Sequence, residues 1–301
     1  MVDFELPSYL VGAVDEATGP TRHRLREWLT ELPERVVRLA AEWSLELGRP
    51  YQPGGRTAWV APVTAADGRH LVLKVGWSHD ESRHEAAGLQ AWDGAGTVRL
   101  ISARDDDETT SLLIEACEPG QTLTLSADPE HQDEAIGAIL RRLRLTPTDG
   151  HPFRTLTSMC DAWADEWEVL VAEHGLPAQL PADLAATGIA LFRELPRTAT
   201  DERLLCTDLH ADNVLSAFRE PWLVIDPKPY VGDPAYDVVQ HMLNQEPRLQ
   251  QDPVALTVRM AALMGLDAVR VRQWLFARCV QEAPTWPAMA PVAVRLAPST
   301  S

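Results

Sequence analysis

Apolar side chains recur at helical spacing over most of the chain, and this pattern predicts a protein built largely of helices. Near the N-terminus the pattern covers residues 21–48, with a break or a new first turn expected at Pro33 and an end at Gly48 and Pro50. Asp233 is placed to act as the N-cap of a later helix. The remaining predicted helices span residues 79–92, 130–145, 155–174, 182–195, 234–244, 254–264 and 267–282.

Stretches rich in β-branched and aromatic residues predict strands between the first helix and Pro119-Gly120. The Asp67-Gly68 pair predicts a hairpin turn between the first two of them. These strands span residues 57–63, 70–77, 97–103 and 110–115, with an acidic turn at 104–108.

A sheet followed by a short irregular linker and then by helices predicts an α+β fold with two lobes and a hinge. A length of 301 residues agrees with two lobes. We expect a small antiparallel-sheet lobe with N-terminal helices at 1–116, and a mostly helical lobe at 117–301.

Composition narrows the class of protein. Hydrophobic residues make up 45% and charged residues 24% of the chain, as in ordinary soluble proteins. No apolar run is long enough to span a bilayer, and the acidic N-terminus lacks a signal-peptide pattern, so we expect a cytoplasmic protein without a membrane partner. The four cysteines show no C-x-x-C spacing, which favours reduced thiols over a zinc site.

The net charge of −17 argues against a nucleic-acid partner. It would suit a cationic small molecule, although the same charge would also serve solubility alone. Among the 27 basic residues only Lys74 and Lys228 are lysines. A chain that otherwise uses arginine is expected to need a compact ammonium group at these two positions.

Acidic and amide side chains cluster between residues 205 and 237, in a segment interrupted by two short apolar runs. Asp208 and Asn213 have the spacing D-x-x-x-x-N, and Asp226 follows after a predicted hairpin that would bring it close to Asn213. Asp208 could accept a hydroxyl proton, and the other two offer the hard oxygen ligands that Mg²⁺ prefers. This spacing fits magnesium-assisted phosphoryl transfer.

In the predicted sheet, Lys74 alternates with apolar residues and is either an exposed edge lysine or a ligand of nucleotide phosphates. Glu85, on the following helix, would be its ion-pair partner, with Glu81 as the competing choice. The loop at Gly54-Gly55 could bring backbone amides close to phosphates, although a Gly-Gly pair alone is a weak signal.

Other polar residues of the acidic segment have plain structural explanations. His210 is more typical of a buried histidine that bonds backbone, and Asp212 of a turn or a solvent-facing position. Asp233 as an N-cap and Asp237 as a helix or loop tether are both favoured over contact with a substrate.

The motifs C-T-D-L-H-A-D-N and V-I-D-P-K-P-Y-V-G-D-P-A-Y-D resemble the aminoglycoside and hydroxyurea phosphotransferase family, which includes streptomycin kinases. The resemblance implies a protein-kinase-like fold. It also implies Asp208 as the catalytic base, Asn213 and Asp226 as magnesium ligands, and Lys74 as the ligand of the α- and β-phosphates, anchored by Glu85.

The same resemblance assigns the adenine contacts to the backbone of Glu115 and Cys117, and the phosphate cover to the loop from Gly54-Gly55 to Thr57. Two positions depart from related kinases. Cys206-Thr207 stands where His-Gly is common, which puts the packing beneath the loop in doubt. Lys228 stands where protein kinases carry glycine, so we expect no kinase-style flip of this segment.

The expected activity is phosphorylation of a small-molecule hydroxyl by ATP with Mg²⁺, with an aminoglycoside such as streptomycin or a hydroxyurea-like compound as acceptor. A metabolite kinase acting on an amino sugar, choline or an amino alcohol would carry identical motifs. A nucleotide-binding pseudokinase module is the alternative outside enzymes. The residues that could contact the acceptor are Asp208, His210, Lys228 and Asp237, together with unnamed residues of the helical insert at 127–200. ATP versus GTP and the oligomeric state stay open.

Overall fold

The computed structural model describes residues 4–80, 82–106 and 108–298. Internal packing divides the chain into two compact units, Met1–Gly120 and Gln121–Ser301. The boundary expected between residues 116 and 117 stays a prediction.

The first unit combines three helices with an antiparallel sheet. The helices are α1 (Ser8–Glu16), α2 (Gly19–Glu42) and α3 (Glu85–Trp92). The strands are β1 (Leu45–Leu47), β2 (Ala58–Ala65), β3 (His70–Trp77), β4 (Leu100–Asp106) and β5 (Thr109–Glu115). They are ordered β1-β2-β3-β5-β4, and every neighbouring pair is antiparallel.

The strands of this sheet pack one face against the N-terminal helices. Leu73 and Val75 of β3 share a buried apolar cluster with Trp28 and Leu32 of α2. Because successive side chains of a strand point to opposite faces, Lys74 lies on the face that α2 does not cover. The fold thereby separates the apolar face of the sheet from the face that carries the lysine.

The second unit is mostly helical. Its helices are α4 (Leu123–Ser126), α5 (Pro129–Leu143), α6 (Leu156–His174), α7 (Ala182–Glu194), α8 (Val239–Leu243), α9 (Glu246–Gln251), α10 (Pro253–Met264), α11 (Ala268–Glu282) and α12 (Met289–Leu296). Helix α11 is central to its core, with Trp274 and Phe276 fully buried. Helix α7 approaches α11 so closely that a Cβ at Gly188 would lie 2.4 Å from Cγ2 of Val280.

Short strands complete the second unit and carry the acidic segment. They are β6 (Pro119–Thr122), which includes residues of both units, β7 (Arg154–Thr155), β8 (Arg203–Leu205), β9 (Val214–Ala217), β10 (Trp222–Val224) and β11 (Tyr230–Gly232). They form two sheets, ordered β10-β9-β6 and β7-β11-β8. The antiparallel β9–β10 pair confirms the hairpin predicted within the acidic segment.

The expected α+β class, with an antiparallel sheet followed by a helical part, is confirmed, but the helix predicted at 21–48 is wrong in its extent. Helix α2 continues through Pro33 and ends at Glu42. Leu32 and Val36 are both fully buried, so tertiary packing offsets the N–H that proline lacks. Residues 45–47 instead pair with β2, which explains their apolar alternation.

The helix predicted at 234–244 is also too long, and Asp233 is not its N-cap. Residues 234–238 form turns, and α8 begins only at Val239. Asp233 accepts a bond from the Ala235 N–H (2.9 Å), while its other oxygen accepts bonds from Arg270 (2.6 Å) and Trp274 (2.8 Å) of α11. The carboxylate therefore ties this turn to α11.

Four helices were not predicted from the sequence, namely α1, α4, α9 and α12. Pro291 lies in the first turn of α12, where an N–H has no partner within the helix, so the proline does not interrupt it. Residues 299–301 lie outside the described residues. None of the four cysteines, which all lie in the described ranges, forms a disulfide, and three of them are buried. Across the described ranges, no helix is both long and apolar enough to cross a bilayer.

A buried ionic cluster centred on Asp133 links four helices of the second unit. Asp133 of α5 accepts bonds from His241 of α8 (2.9 Å), from Arg248 of α9 (2.8 and 2.7 Å) and from Arg259 of α10 (2.7 Å). Burial raises the pKa of Asp133, but the bonds from these three side chains outweigh it and hold the pKa below its ordinary range.

Replacing Asp133 by alanine should destabilise the protein strongly, because the change leaves the buried His241 and the partly buried Arg248 and Arg259 without their shared partner. We expect a loss of about 3–5 kcal/mol in the free energy of unfolding, measured by urea denaturation. The control is Asp161→Ala, which removes a more exposed pair with Arg197 and should cost under about 1 kcal/mol. Equal losses in the two variants would contradict the role given to the cluster.

Candidate active site

The first unit pairs its one lysine with a buried glutamate. Lys74 Nζ donates to both carboxylate oxygens of Glu85, at 2.8 and 2.7 Å. Glu85 is the first residue of α3, and its side chain is only 1% exposed, against 14% for Lys74. The competing partner Glu81 lies outside the described residues. A buried carboxylate bound at both oxygens holds the ammonium group in one place on the face of the sheet.

The linker after β5 lines a cavity within the first unit. Glu115 exchanges bonds with the backbone of Arg99, through its N–H (2.9 Å) and its carboxylate (3.0 Å). A cavity of about 350 Å³ is lined by Tyr51, Pro62 and Cys117 among others. A Cβ at Gly120 would lie 2.7 Å from the Cys117 carbonyl oxygen, so this turn requires glycine. Adenine contacts at Glu115 and Cys117 stay a prediction.

Gly54 and Gly55 lie in the connection between β1 and β2. Gly54 has a positive φ of 78°, and a Cβ there would lie 2.4 Å from Cβ of Pro7. Thr57 follows on the same loop, and its carbonyl accepts the Trp77 N–H at 2.9 Å. The N-terminal segment thus gives a packing reason for Gly54, and the expected phosphate cover by this loop stays a prediction.

In the second unit, a buried carboxylate holds the loop that carries Asp208. The loop follows β8, and Asp237 accepts the N–H of Cys206 (3.0 and 3.1 Å) and the N–H of Thr207 (2.7 Å). Asp208 is half-buried, and its own N–H donates to the Cys206 carbonyl at 2.8 Å. Thr207 has a positive φ of 50°, a conformation that β-branched residues rarely adopt. The bonds from Asp237 stabilise this strained turn.

The packing beneath this loop depends on the two residues that depart from related kinases. The Thr207 hydroxyl donates to the Lys228 carbonyl at 2.6 Å. The Lys228 N–H donates in return to the Cys206 carbonyl at 2.9 Å. The loop and the segment after Asp226 are therefore bonded to each other through Thr207 and Cys206. The sequence marked Thr207 only as part of a departure from related kinases and did not reveal this hydrogen bond of its hydroxyl.

Asn213 and Asp226 lie next to each other, as the predicted hairpin required. The Ile225 N–H donates to the Asn213 carbonyl at 2.9 Å. The side-chain nitrogen of Asn213 donates to the Asp208 carbonyl at 3.0 Å, so the amide oxygen is the atom of this side chain that could bind a metal. Asp226 has a positive φ of 52°, which aspartate tolerates better than most residues. One hydrogen-bonded assembly therefore holds Asp208, Asn213 and Asp226.

This donor set fits Mg²⁺ better than a metal held by protein ligands alone. The ranges that the structure describes contain no group of three or more His, Cys, Asp or Glu side chains placed to hold a metal. Asn213 and Asp226 offer one amide oxygen and one carboxylate. Mg²⁺ commonly binds in this way, with one or two protein ligands supplemented by phosphates and water.

Lys228, the second lysine, is an immediate neighbour of this donor set. Its Nζ lies 2.6 Å from Oδ1 of Asp226. The lysine side chain is 13% exposed and that of Asp226 is 37% exposed. The ammonium group is thus held within the protein surface, in direct contact with an expected metal ligand.

The remaining polar residues of the segment occupy distinct environments. His210 is largely buried, burial lowers its pKa, and within the described residues its Nδ1 has no hydrogen-bond partner. Asp212 is exposed, as expected. Asp237 is only 4% exposed. Burial raises the pKa of Asp237 to about 6, against the bonds from Cys206 and Thr207 that favour the charged form. This buried, hydrogen-bonded environment supports Asp237 as a tether of the loop rather than as a contact of the substrate.

The raised pKa of Asp237 predicts a pH dependence of stability. Its folded pKa of about 6 exceeds the ordinary 3.8, so the folded protein binds this proton more readily than the unfolded chain. Stability from this group therefore rises as the pH falls from about 6 towards about 4, and it is lost as the pH rises through about 6.

Asp237→Asn should remove this dependence, since asparagine does not titrate. The wild-type free energy of unfolding minus that of the variant should increase by up to about 3 kcal/mol as the pH falls from about 7 to about 4. Urea denaturation at several pH values measures it. A difference that stays flat over this range would show that Asp237 titrates normally.

Comparison with known proteins gives matches over most of the chain. The model of the family described as aminoglycoside/hydroxyurea antibiotic resistance kinase matches residues 45–289. A streptomycin 6-kinase of Streptomyces glaucescens is 31% identical over 93% of this chain and 90% of its own length. A hydroxyurea phosphotransferase of Kitasatospora aureofaciens is 33% identical over 85% of this chain and 73% of its own length.

A solved structure supports the fold at lower identity. The amicoumacin kinase hAmiN, in complex with AMP-PNP, Ca²⁺ and Ami, superimposes with a TM-score of 0.59. It is 13% identical and covers 90% of this chain and 94% of its own. This similarity confirms the expected protein-kinase-like fold of small-molecule kinases.

Proposed function

The chain belongs to the aminoglycoside/hydroxyurea antibiotic resistance kinase family, and on that premise we propose that it phosphorylates a hydroxyl group of streptomycin with Mg·ATP. Asp208 is the proposed catalytic base. Asn213 and Asp226 are the proposed metal ligands, and Lys74, anchored by Glu85, the proposed ligand of the nucleotide phosphates. The reaction would take place in the cytoplasm, where ATP is available.

The observation that carries the proposal is the assembly of Asp208, Asn213 and Asp226 within one unit. The Asn213 side chain bonds the Asp208 backbone, and the adjoining Ile225 N–H bonds the Asn213 backbone. Phosphoryl transfer needs little covalent participation by the protein and depends on positioning and on neutralisation of charge. A base and two oxygen ligands held by shared hydrogen bonds meet that need.

Each residue has a separate task in this proposal. Asp208 would orient the acceptor hydroxyl and accept its proton as the hydroxyl oxygen bonds the γ-phosphorus, while the bond from that phosphorus to the bridging oxygen breaks and ADP leaves. Asn213 and Asp226 would hold Mg²⁺, which when bound neutralises charge on the phosphate oxygens. Lys74 would donate charge-assisted hydrogen bonds to phosphate oxygens, from a position that the carboxylate of Glu85 fixes.

The choice of a cationic acceptor rests on charge. The chain has a net charge of −17, which attracts a cationic aminoglycoside to its surface. Hydroxyurea is the second candidate, since a hydroxyurea phosphotransferase matches this chain as well as the streptomycin kinase does. Hydroxyurea is neutral and would gain nothing from this charge. A metabolite acceptor such as choline or an amino sugar would call for the same catalytic residues.

An acceptor panel tests the proposal. The protein would be incubated with Mg·ATP or Mg·GTP and with streptomycin, other aminoglycosides, hydroxyurea, choline and amino sugars, and products would be detected by mass spectrometry. We expect phosphorylated streptomycin with ATP. The absence of product from every antibiotic, with transfer to a metabolite, would remove the antibiotic assignment.

Two variants separate an enzyme from a nucleotide-binding module. Asp208→Asn should lower kcat by roughly 10²–10⁴-fold with nucleotide binding retained, because it removes the general base. Asp212→Asn, at an exposed carboxylate of the same loop, should keep wild-type activity. If wild type and Asp208→Asn bound nucleotide and were equally inert, the protein would be a binding module.

A further inference from the structure

Lys228 is fixed at both its backbone and its side chain. Its N–H donates to Cys206, its carbonyl accepts from Thr207, and its Nζ contacts Asp226. The backbone bonds set the position of its Cα beside the loop that carries Asp208. The ammonium group therefore reaches Asp226 from an anchored position, unlike a solvated lysine that samples many rotamers.

The contact places a full positive charge against a proposed metal ligand. Lys228 Nζ lies 2.6 Å from Oδ1 of Asp226, and its side chain is 13% exposed. Solvent screens a charge so placed much less than one on the surface. A divalent cation that approaches Asp226 is thus repelled by the ammonium group, and it also has to share the carboxylate with it. With glycine at this position, the cation would meet no such repulsion and would not share the carboxylate with an ammonium group.

The use of lysine rather than arginine fits such a role. The chain has 27 basic residues, of which only Lys74 and Lys228 are lysines. An arginine fork binds both oxygens of a carboxylate, whereas an ammonium group acts as a point charge. Lys228 bonds Oδ1 alone of the two Asp226 oxygens. It can therefore lower the charge of this carboxylate without occupying both oxygens.

We propose that Lys228 weakens the binding of a free divalent cation by Asp226 and Asn213, so that the metal binds here only together with nucleotide phosphates. The phosphates bring the negative charge that offsets the ammonium group and supply further ligands to the metal. This coupling of metal to nucleotide rests on the proposed function. The effect of Lys228 on the free cation does not.

The test measures Mn²⁺ binding by electron paramagnetic resonance, first without nucleotide and then with AMP-PNP. Without nucleotide, Lys228→Gln should bind Mn²⁺ at least about tenfold more tightly than wild type, equivalent to about 1.4 kcal/mol. Adding Asp226→Asn to that variant should abolish the gain, which assigns the ion to this site. When AMP-PNP is present, the wild type should also bind Mn²⁺.

Two variants control for general effects of charge and for the shape of the side chain. Arg197→Gln removes the same charge from a surface pair with Asp161 and should match the wild type. Lys228→Arg keeps the charge and should not gain affinity for Mn²⁺. Thermal unfolding checks that each variant is folded. If Lys228→Gln does not fold, Lys228→Met keeps the aliphatic stem and replaces it in the comparison.

The inference would be overturned if, without nucleotide, Lys228→Gln bound Mn²⁺ no more tightly than the wild type. It would also be overturned if Arg197→Gln gained as much affinity for Mn²⁺ as Lys228→Gln. The outcome is separable from that of the acceptor panel. A gain of Mn²⁺ binding that depends on Asp226, in a protein that phosphorylates nothing, would leave the effect of Lys228 standing without the proposed function. Streptomycin phosphorylation without any such gain would leave the function standing without the inference.

Discussion

One buried carboxylate determines the shape of the proposed catalytic loop. Asp237 gives both its oxygens to the N–H groups of Cys206 and Thr207, just before Asp208. Thr207 adopts a left-handed backbone conformation that would be strained without those bonds. Burial disfavours the charged form of this carboxylate and raises the pKa of Asp237 to about 6. A charge kept in an unfavourable environment to hold a strained turn is typical of a functional site.

The residues that depart from related kinases take part in the same assembly. The Thr207 hydroxyl and the Cys206 carbonyl both bond the backbone of Lys228, and the Lys228 side chain contacts Asp226. On the other side of the loop, Asn213 bonds the Asp208 carbonyl. The proposed base, both proposed metal ligands and the second lysine are therefore coupled by hydrogen bonds within one unit. Because of these hydrogen bonds, a displacement of one of these residues would also shift the others.

Features set by local spacing were predictable from the sequence. The β9–β10 hairpin next to Asn213 and the pairing of Lys74 with Glu85 follow from spacing within short segments. Features that depend on distant partners were not. The Asp133 cluster joins residues more than a hundred positions apart, and Asp233 is bound by α11 rather than capping a helix. Such contacts leave no periodic signal, because they depend on how helices pack.

A crystal structure with Mg²⁺, AMP-PNP and streptomycin bound tests the central claim most directly. The account predicts Mg²⁺ bound by the side-chain oxygens of Asn213 and Asp226, and a streptomycin hydroxyl within hydrogen-bond distance of Asp208. A metal bound elsewhere, or an acceptor with no hydroxyl near Asp208, would contradict the assignment of these residues as the centre of phosphoryl transfer.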